Sequence, residues 1–333
     1  MSDLLSLFDD LEDVKPDPNE SGESFSGIPL TESFAIHLAK DLESRPVVMF
    51  RLPSNSRKTQ IPNTSLENLR VESGLLCRIC DAKGRISSDR FTVIRCISSD
   101  RSLQEYFLRT LDGVVKTLSD PIDPQVAVRI VNSLAMLFQA VRHPPTGSVI
   151  GLWAELLTIC SSVDPNTMVG AWHSELSERY DFSFEDERIE VKASGDGTRR
   201  HHFSLRQAYP PSGVNVNVVS IMVDHSTNGA SLGDLWDEVH TLVQNDAELI
   251  LKVERVCMQT LGETWHTSRQ CQFDRYLAAQ SIMIYDIKTI PKVSLEQPDG
   301  VTDVIFRSDL SRAILKSRDG STESGELFRA FLP

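Results

Sequence analysis

The segment YDFSFEDERIEVKAS, residues 180–194, brings together side chains that could bind a cation and activate water. Asp181 opens an apolar stretch, and Glu190 and Lys192 alternate with apolar residues nine and eleven positions later. Carboxylates are preferred ligands of Mg²⁺, which fills its remaining positions with water and substrate phosphate oxygens. A lysine beside such an ion can orient or help to deprotonate the attacking water and can offset phosphate charge. These residue types predict a divalent-cation site for phosphate chemistry.

The alternation of apolar and polar residues predicts that this segment is a β-hairpin with one apolar and one polar face. If EDER, residues 185–188, forms the connection, Asp181 lies opposite Lys192 and Ser183 opposite Glu190. The polar face then carries both carboxylates and the amine. The alternative interpretation is an ordinary solvated sheet face, whose cross-strand Asp–Lys pair contributes at most about 1 kcal/mol.

A fourth ionisable residue, Glu155, is the single charge in TGSVIGLWAELLTICSS, residues 146–162. This segment is apolar almost all round, which predicts a buried helix. An unpaired buried carboxylate costs several kcal/mol, so Glu155 must have a partner, bind a proton or face a polar cavity.

The densest basic run of the chain is GDGTRRHHFSLRQ, residues 195–207. It follows the strand predicted to carry the cation site, so Arg199, Arg200 and Arg206 could contact phosphates. The alternative interpretation is a solvated strand. The two adjacent histidines of the run are not expected to bind one metal, because neighbouring side chains point to opposite faces of a strand.

The elements around these residues predict two domains. Strand-like segments separated by Ser, Asn, Gly and Asp turns, followed by the helical pattern SLQEYFLRTLDGVVKTL, predict a small sheet-rich domain at residues 27–120. A helix with an Asp-Pro start and a Pro-Pro stop then opens residues 121–333, where helical and strand patterns alternate. All the chemistry-bearing residues lie in this second part.

Composition is that of a soluble globular protein, with 40% hydrophobic and 24% charged residues in 333. No apolar run approaches the roughly 18 residues of a membrane-spanning helix, and no secretory signal is evident at the start. We therefore expect a cytoplasmic protein without a membrane partner. Six cysteines do not form a disulfide framework, and the C-x-x-C of Cys77 and Cys80 lacks a second pair at zinc-site spacing.

The formal net charge of −13 is concentrated at the start of the chain, where residues 1–25 carry −7. Residues 1–26 are therefore predicted to be an acidic, disordered tail, so the rest of the chain is free to bind polyanions. Within the tail, the apolar stripe of residues 4–11 has helical spacing and predicts a short helix. This helix would dock in the groove of a partner protein or on the chain itself.

Asp181, followed by Glu190, Val191 and Lys192, resembles the D…(D/E)-x-K motif of the PD-(D/E)XK nuclease superfamily. GLWAELLTI and the later AWHS, YDF, RIEVKAS and RRHHFSLRQ segments resemble those of a bacterial family within that superfamily. The motif region covers about residues 147–207, and a looser likeness in strand order extends over most of the chain. The resemblance implies an α/β, restriction-endonuclease-like mixed central sheet flanked by helices, preceded by the smaller sheet-rich domain.

The resemblance also implies roles for individual residues. Lys192 corresponds to the catalytic lysine, and Gln207 to an accessory glutamine. The implied ligands of Mg²⁺, for which Mn²⁺ could substitute, are Asp181, Glu190, the carbonyl of Val191, and Glu155, which would hold a second ion or its water. Two positions depart from the family pattern, since Tyr180 stands where proline often precedes the aspartate and Ala154 replaces the second glycine of the helix motif.

The implied activity is Mg²⁺-dependent hydrolysis of DNA by the nuclease subunit of an anti-phage defence system. The resemblance also implies helicase-like or ATPase proteins as partners. Since the sequence contains no Walker-type phosphate loop, ATP-driven work would have to come from another subunit. Two other interpretations stay open: a catalytically silent subunit of the same fold that binds DNA or assembles partners, and a nuclease for RNA or single strands. Homo-oligomer formation is a further open option.

Overall fold

The computed structural model divides into two compact units, Met1–Arg142 with Gln244–Arg255, and His143–Val243 with Val256–Pro333. The boundary predicted at residue 120 falls inside the first unit. The described residues are 3–14, 22–33, 35–51, 61–120, 122–141, 145, 147–175, 178–316 and 325–331. Within these residues, no helix combines the length and the apolar character needed to cross a membrane.

The first unit contains a sheet that closes on itself. Its strands are β1 (Glu23–Pro29), β2 (Ile36–Lys40), β3 (Pro46–Phe50), β4 (Thr64–Ser65), β5 (Leu69–Cys80) and β6 (Ile86–Cys96). Antiparallel pairs connect them in the order β1-β2-β3-β6-β5-β4, and β1 also pairs with β5 in parallel. This parallel pair completes a small barrel around Phe25, Val47, Met49 and Val93, whereas the sequence predicted an antiparallel sheet.

The described helices of this unit are α1 (Leu4–Asp9), α2 (Arg101–Lys116), α3 (Pro124–Ala140) and the first part of α8 (Ala247–Leu261). In α1 the side chains of Leu4 and Phe8 are buried, and the Leu4 amide donates to Asp112 of α2. The predicted N-terminal helix is therefore present and docks on its own chain. Strand β1 begins inside the segment predicted to be disordered, while residues 15–21 of that segment lie outside the described residues.

The second unit has a mixed α/β architecture, which confirms the predicted fold class at this level. Its strands are β7 (Phe182–Phe184), β8 (Glu187–Ser194), β9 (Arg200–Ser204), β10 (Asn215–Met222), β11 (His225–Ser231), β12 (Gln272–Phe273), β13 (Met283–Asp286) and β14 (Ile305–Asp309). Its helices are α4 (Val149–Cys160), α5 (Pro165–Ala171), α6 (Leu205–Ala208), α7 (Leu232–Leu242), the later part of α8 (Ala247–Leu261), α9 (Trp265–Ser268), α10 (Arg275–Ser281) and α11 (Glu326–Phe331).

The central sheet of this unit has the strand order β13-β10-β8-β7. Strands β8 and β10 are parallel, and β7 and β13 run antiparallel to their neighbours. Strand β8 lies inside the sheet, where the apolar helix α4 packs against it. Strands β9 and β14 form a separate antiparallel pair next to it.

The hairpin of β7 and β8 forms, but its predicted register is wrong. Phe182 pairs with Ile189 and Ser183 with Arg188, so Asp181 does not lie opposite Lys192. The connection is a two-residue turn rather than four residues, and Glu185 adopts a positive φ of 46° there, as tight hairpin turns require. Because the pairing is displaced by an even number of residues, each side chain keeps its predicted face.

Glu187, the first residue of β8, is a buried carboxylate that holds the C-terminal helix. It is 4% exposed and accepts hydrogen bonds from the amides of Gly325, Leu327 and Phe328 at 2.8, 2.9 and 3.3 Å. These amides at the start of α11 have no partner within the helix, and the negative charge suits the helix N-terminus. A Cβ at position 325 would lie 2.4 Å from a Glu187 oxygen, so a larger residue there would force this carboxylate to move.

We expect Glu187→Ala to lower the free energy of unfolding of the second unit by about 1–3 kcal/mol, because it leaves buried amides without an acceptor. All four tryptophans lie in this unit, so urea unfolding followed by tryptophan fluorescence reports its stability. Glu296→Ala, which removes an exposed carboxylate from the same unit, serves as the control. Equal stability of the two variants would contradict this role of Glu187.

Candidate active site

Glu155 has partners that explain its position in an apolar helix. It lies near the middle of α4, and its Oε2 accepts a 2.7 Å hydrogen bond from Trp172 Nε1. His173 Nε2 lies 3.3 Å from the same oxygen. Both partners follow helix α5, and Trp172 is fixed by stacking on Phe182 of β7. The carboxylate is therefore oriented by two rings that the sequence analysis did not assign to the site.

Asp181 lies just before β7 and is tied to the neighbouring strand. Its Oδ2 accepts a 2.6 Å hydrogen bond from the Val191 amide, and its backbone carbonyl accepts one from the His173 amide. The amide and the carbonyl of a strand residue point to the same side of that strand, so the Val191 carbonyl also points toward the aspartate. Asp181 and this carbonyl are thus placed together at the end of β7.

Glu190 is the most deeply buried acid of the group, at 2% exposure. Its Oε1 accepts hydrogen bonds from Lys192 Nζ at 2.6 Å and from Gln207 Nε2 at 2.7 Å. Its Oε2 is buried and has no hydrogen-bond partner among the residues that the structure describes. One oxygen is therefore held by two donors, and the other is free to accept a further ligand.

Gln207 is the third residue of α6 and is itself held in place. Its Oε1 accepts from the Ser204 amide, while Ser204 Oγ accepts from the Gln207 amide, which forms a capping box. Its side-chain nitrogen also donates to the Arg179 carbonyl at 3.2 Å. Gln207 is therefore held beside Glu190, and its implied accessory role stays a prediction.

Glu155, Asp181 and Glu190, together with Lys192, form an acid cluster whose charges shift the pKa values of its members. Burial, followed by the charges of Glu190 and Glu155, raises the pKa of Asp181 well above its usual value. Burial also raises the pKa of Glu190, although Lys192 opposes this shift. Burial alone would lower the pKa of Lys192, but the surrounding acids outweigh it and raise that pKa. Perturbed groups of both signs in one place are typical of functional sites.

The donor set fits a hard divalent cation in part. The buried Oε2 of Glu190, the carboxylate of Asp181 and the Val191 carbonyl are oxygen ligands of the type that Mg²⁺ prefers. Among the residues that the structure describes, no three His, Cys, Asp or Glu side chains are grouped closely enough to hold a metal ion. A cation here would therefore depend on two carboxylates, a backbone carbonyl and oxygens from water or substrate.

The basic run is divided between the interior and the surface. Arg199 donates to the Ser220 carbonyl and to the Ser281 carbonyl, so its guanidinium is engaged within the fold. Arg200 and Arg206 are exposed. As the strand alternation predicts, His201 is buried and His202 is exposed. Of the three predicted phosphate contacts, Arg200 and Arg206 are those with accessible charges.

Comparison with known proteins shows the family to which the chain belongs. The mixed sheet of the second unit is consistent with a PD-(D/E)XK-like, nuclease-like fold. The chain belongs to the family DUF4420, described as "Putative PD-(D/E)XK family member", whose sequence model matches residues 6–311. No curated protein and no solved structure is significantly similar to the chain.

His201 should make the second unit less stable in mild acid. Its Nε2 lies 2.8 Å from Ser220 Oγ, and burial lowers the pKa of His201 from 6.5 to about 4. Between these values the unfolded chain binds a proton that the folded chain does not, so this stability is present above pH 6.5 and is lost as the pH falls toward 4. The loss between pH 7 and 5 should be on the order of 2 kcal/mol.

The measurement is urea unfolding by tryptophan fluorescence at both pH values for wild type, His201→Gln and His202→Gln. We expect His201→Gln to lose less stability than wild type on acidification. His202→Gln, which changes the exposed neighbour, should follow wild type. Identical pH dependence in all three proteins would contradict this assignment.

Proposed function

We propose that this protein hydrolyses phosphodiester bonds of DNA in a reaction that depends on a divalent cation. The observation that carries the proposal is the arrangement around Glu190. Lys192 Nζ lies 2.6 Å from one of its oxygens, and the other oxygen is buried and unpartnered in the described part of the chain. Asp181 lies across the same strand pair, where it binds the amide that follows Glu190.

The residues that would hold Mg²⁺ or Mn²⁺ are Asp181, Glu190 and the Val191 carbonyl, with Glu155 holding a second ion or its water. When bound, the ion would polarise the phosphate and lower the pKa of a coordinated water. Trp172 and His173 hold Glu155 through its Oε2, and the charge of Glu155 acts on Asp181, Glu190 and Lys192.

Lys192 supplies the positive charge that the reaction needs at the phosphate. The surrounding acids raise the pKa of its amine, so it stays protonated at neutral pH and can donate to the attacking water or to a phosphate oxygen. Its Nζ also lies 5.2 Å from the centre of the Phe203 ring, which limits where the amine can move. Gln207 shares Glu190 Oε1 with this amine and so keeps both groups in a fixed relation.

The wider setting is also a proposal. Because of its resemblance to a bacterial family found in anti-phage gene clusters, we propose a nuclease subunit that works with helicase-like or ATPase proteins. Arg200 and Arg206 are exposed, Arg206 adjoins Gln207 in α6, and both would contact the DNA backbone. The competing function is a silent subunit of the same fold, which the absence of a three-ligand cluster among the described side chains favours.

We expect Lys192→Ala to reduce DNA cleavage by orders of magnitude while DNA binding stays nearly intact, since the amine acts mainly in the transition state. Cleavage of linear, nicked and circular DNA is measured with Mg²⁺, with Mn²⁺ and with EDTA. Lys288→Ala, an exposed lysine of the same unit, is the matched control and should keep wild-type activity. Cleavage that survives both Lys192→Ala and EDTA would contradict the proposal, and a wild type that is inactive even with its partner proteins would favour the silent subunit.

Cation binding has a readout that does not depend on activity. Mn²⁺ should raise the thermal midpoint of tryptophan fluorescence in wild type, since a ligand at 100 times its Kd stabilises by about 2.7 kcal/mol. Asp181→Asn and Glu190→Gln should each abolish this increase. Glu263→Gln, which changes an exposed acid of the same unit, should preserve it. An undiminished increase in Glu190→Gln would place the ion elsewhere.

A further inference from the structure

A cavity of about 500 Å³ lies next to the candidate active site, within the second unit. Its walls come from the segment before β7, from β9 and α6, and from the chain that leads into β14. The lining includes Arg179, His202, Arg206, Gln207, Gln297 and residues 301–305. The volume lies within the range of sites that enclose a small molecule, and it is far too small for a DNA duplex.

The cavity and the acid cluster share a side chain. Gln207 lines the cavity, and its Nε2 donates to Glu190 Oε1 at 2.7 Å. The Arg179 carbonyl accepts from the same nitrogen, and Arg179 also lines the cavity. A group that occupies the cavity is therefore one side chain away from the proposed position of the reacting phosphate.

The lining carries charges of both signs, with Arg179 and Arg206 opposed by Glu178 and the exposed Asp303, so a phosphate in the cavity would lie at the arginines. Arg206 and His202 are exposed at the cavity. Arg179 donates to the Tyr209 carbonyl through one terminal nitrogen, but its Nε is buried and has no hydrogen-bond partner among the described residues. The acid Glu178 on the same wall already accepts from the amides of Ser174 and Glu175, so part of its charge is compensated.

The rest of the lining has the character of a nucleobase site. Leu205, Val301 and Ile305 supply apolar surface, and Ile305 is 67% exposed although it is a large aliphatic residue. Gln297 and Thr302 supply polar groups at the edges. A base is flat and apolar on its faces and polar around its rim, and proteins stack bases on apolar side chains and on arginine guanidinium groups.

We propose that this cavity binds one unpaired nucleotide of the strand whose neighbouring phosphodiester lies at Glu190 and Lys192. This proposal rests on the proposed nuclease function, because it assigns the cavity to the DNA strand that is cut. A base within a duplex would first have to leave the stack, which costs a few kcal/mol. The preferred substrate class is therefore DNA with an unpaired nucleotide, such as a single strand or a gapped duplex.

The experiment measures binding of the full chain in EDTA, so that its outcome does not depend on cleavage. Three fluorescent DNAs of equal length are compared: a single strand, a duplex with a one-nucleotide gap opposite an unpaired base, and a fully paired duplex. We expect wild type to bind the first two at least about 10-fold more tightly than the third, in line with the contribution of one stacked base. Equal affinity for all three, or binding to none, would overturn the proposal.

Substitutions test whether the cavity causes the preference for DNA with an unpaired nucleotide. Thr302→Trp fills the cavity from an exposed loop position, and Arg206→Ala removes a cation from the cavity lining. Both should reduce the preference to less than about 3-fold. Arg200→Ala removes an exposed arginine of β9 that does not line the cavity, so it should change all three affinities by the same factor. A preference that survives Thr302→Trp in a protein with unchanged thermal stability would overturn the assignment.

A free nucleotide could bind the cavity in the same way as a nucleotide within a DNA strand. Competition with a free nucleotide distinguishes these two ligands. Excess dAMP should weaken binding of the single strand and of the gapped duplex but not of the paired duplex. If dAMP binds wild type while the single strand shows no preference over the duplex, the cavity is a mononucleotide site and the strand assignment is wrong. Loss of cleavage with a retained binding preference would count against the nuclease function alone.

Discussion

The buried carboxylate of Glu190 is the constraint on which the site depends, because a charge removed from water must be compensated. Lys192 and Gln207 both donate to one of its oxygens, while the other has no hydrogen-bond partner among the described residues. Removal of a single partner from a buried ion pair usually costs about 3–5 kcal/mol. Strand β8, helix α6 and the acid cluster are therefore energetically linked, and the unsatisfied oxygen is the part of this arrangement that a ligand would complete.

Much of the site could be predicted from the sequence because its determinants are local. The alternation along β8 puts Glu190 and Lys192 on one face, and a displacement of the hairpin by an even number of residues did not change that face. The single charge of Glu155 in an apolar helix also indicated a polar environment. The residues that bind this carboxylate could not be identified from the spacing of residues along the sequence. Trp172 and His173 reach it only because α5 turns back toward α4, and their one sequence signal was the AWHS segment of the family resemblance.

The first unit shows the opposite case, in which long-range pairing decides the fold. The strand patterns predicted a sheet, yet the pairing of Glu23 with Cys77 and of Phe25 with Ile79 closes it into a barrel. Nothing in either strand alone distinguishes an open edge from a paired one. The acidic composition likewise suggested disorder for the tail beyond its predicted helix, although strand β1 already begins at Glu23. The predicted helix itself is stabilised on its own chain by burial of Leu4 and Phe8.

The bonds from Glu187 to α11 connect the far end of the chain to the strand of the candidate site. Glu187 lies only three residues before Glu190, and its carboxylate is satisfied entirely by amides after residue 324. A protease that removed the last nine residues would leave a bare anion at the base of β8, even though every candidate ligand remained in place. An attached α11 is thus a condition for an ordered acid cluster, so the loss of this helix would inactivate the site without removing any candidate ligand.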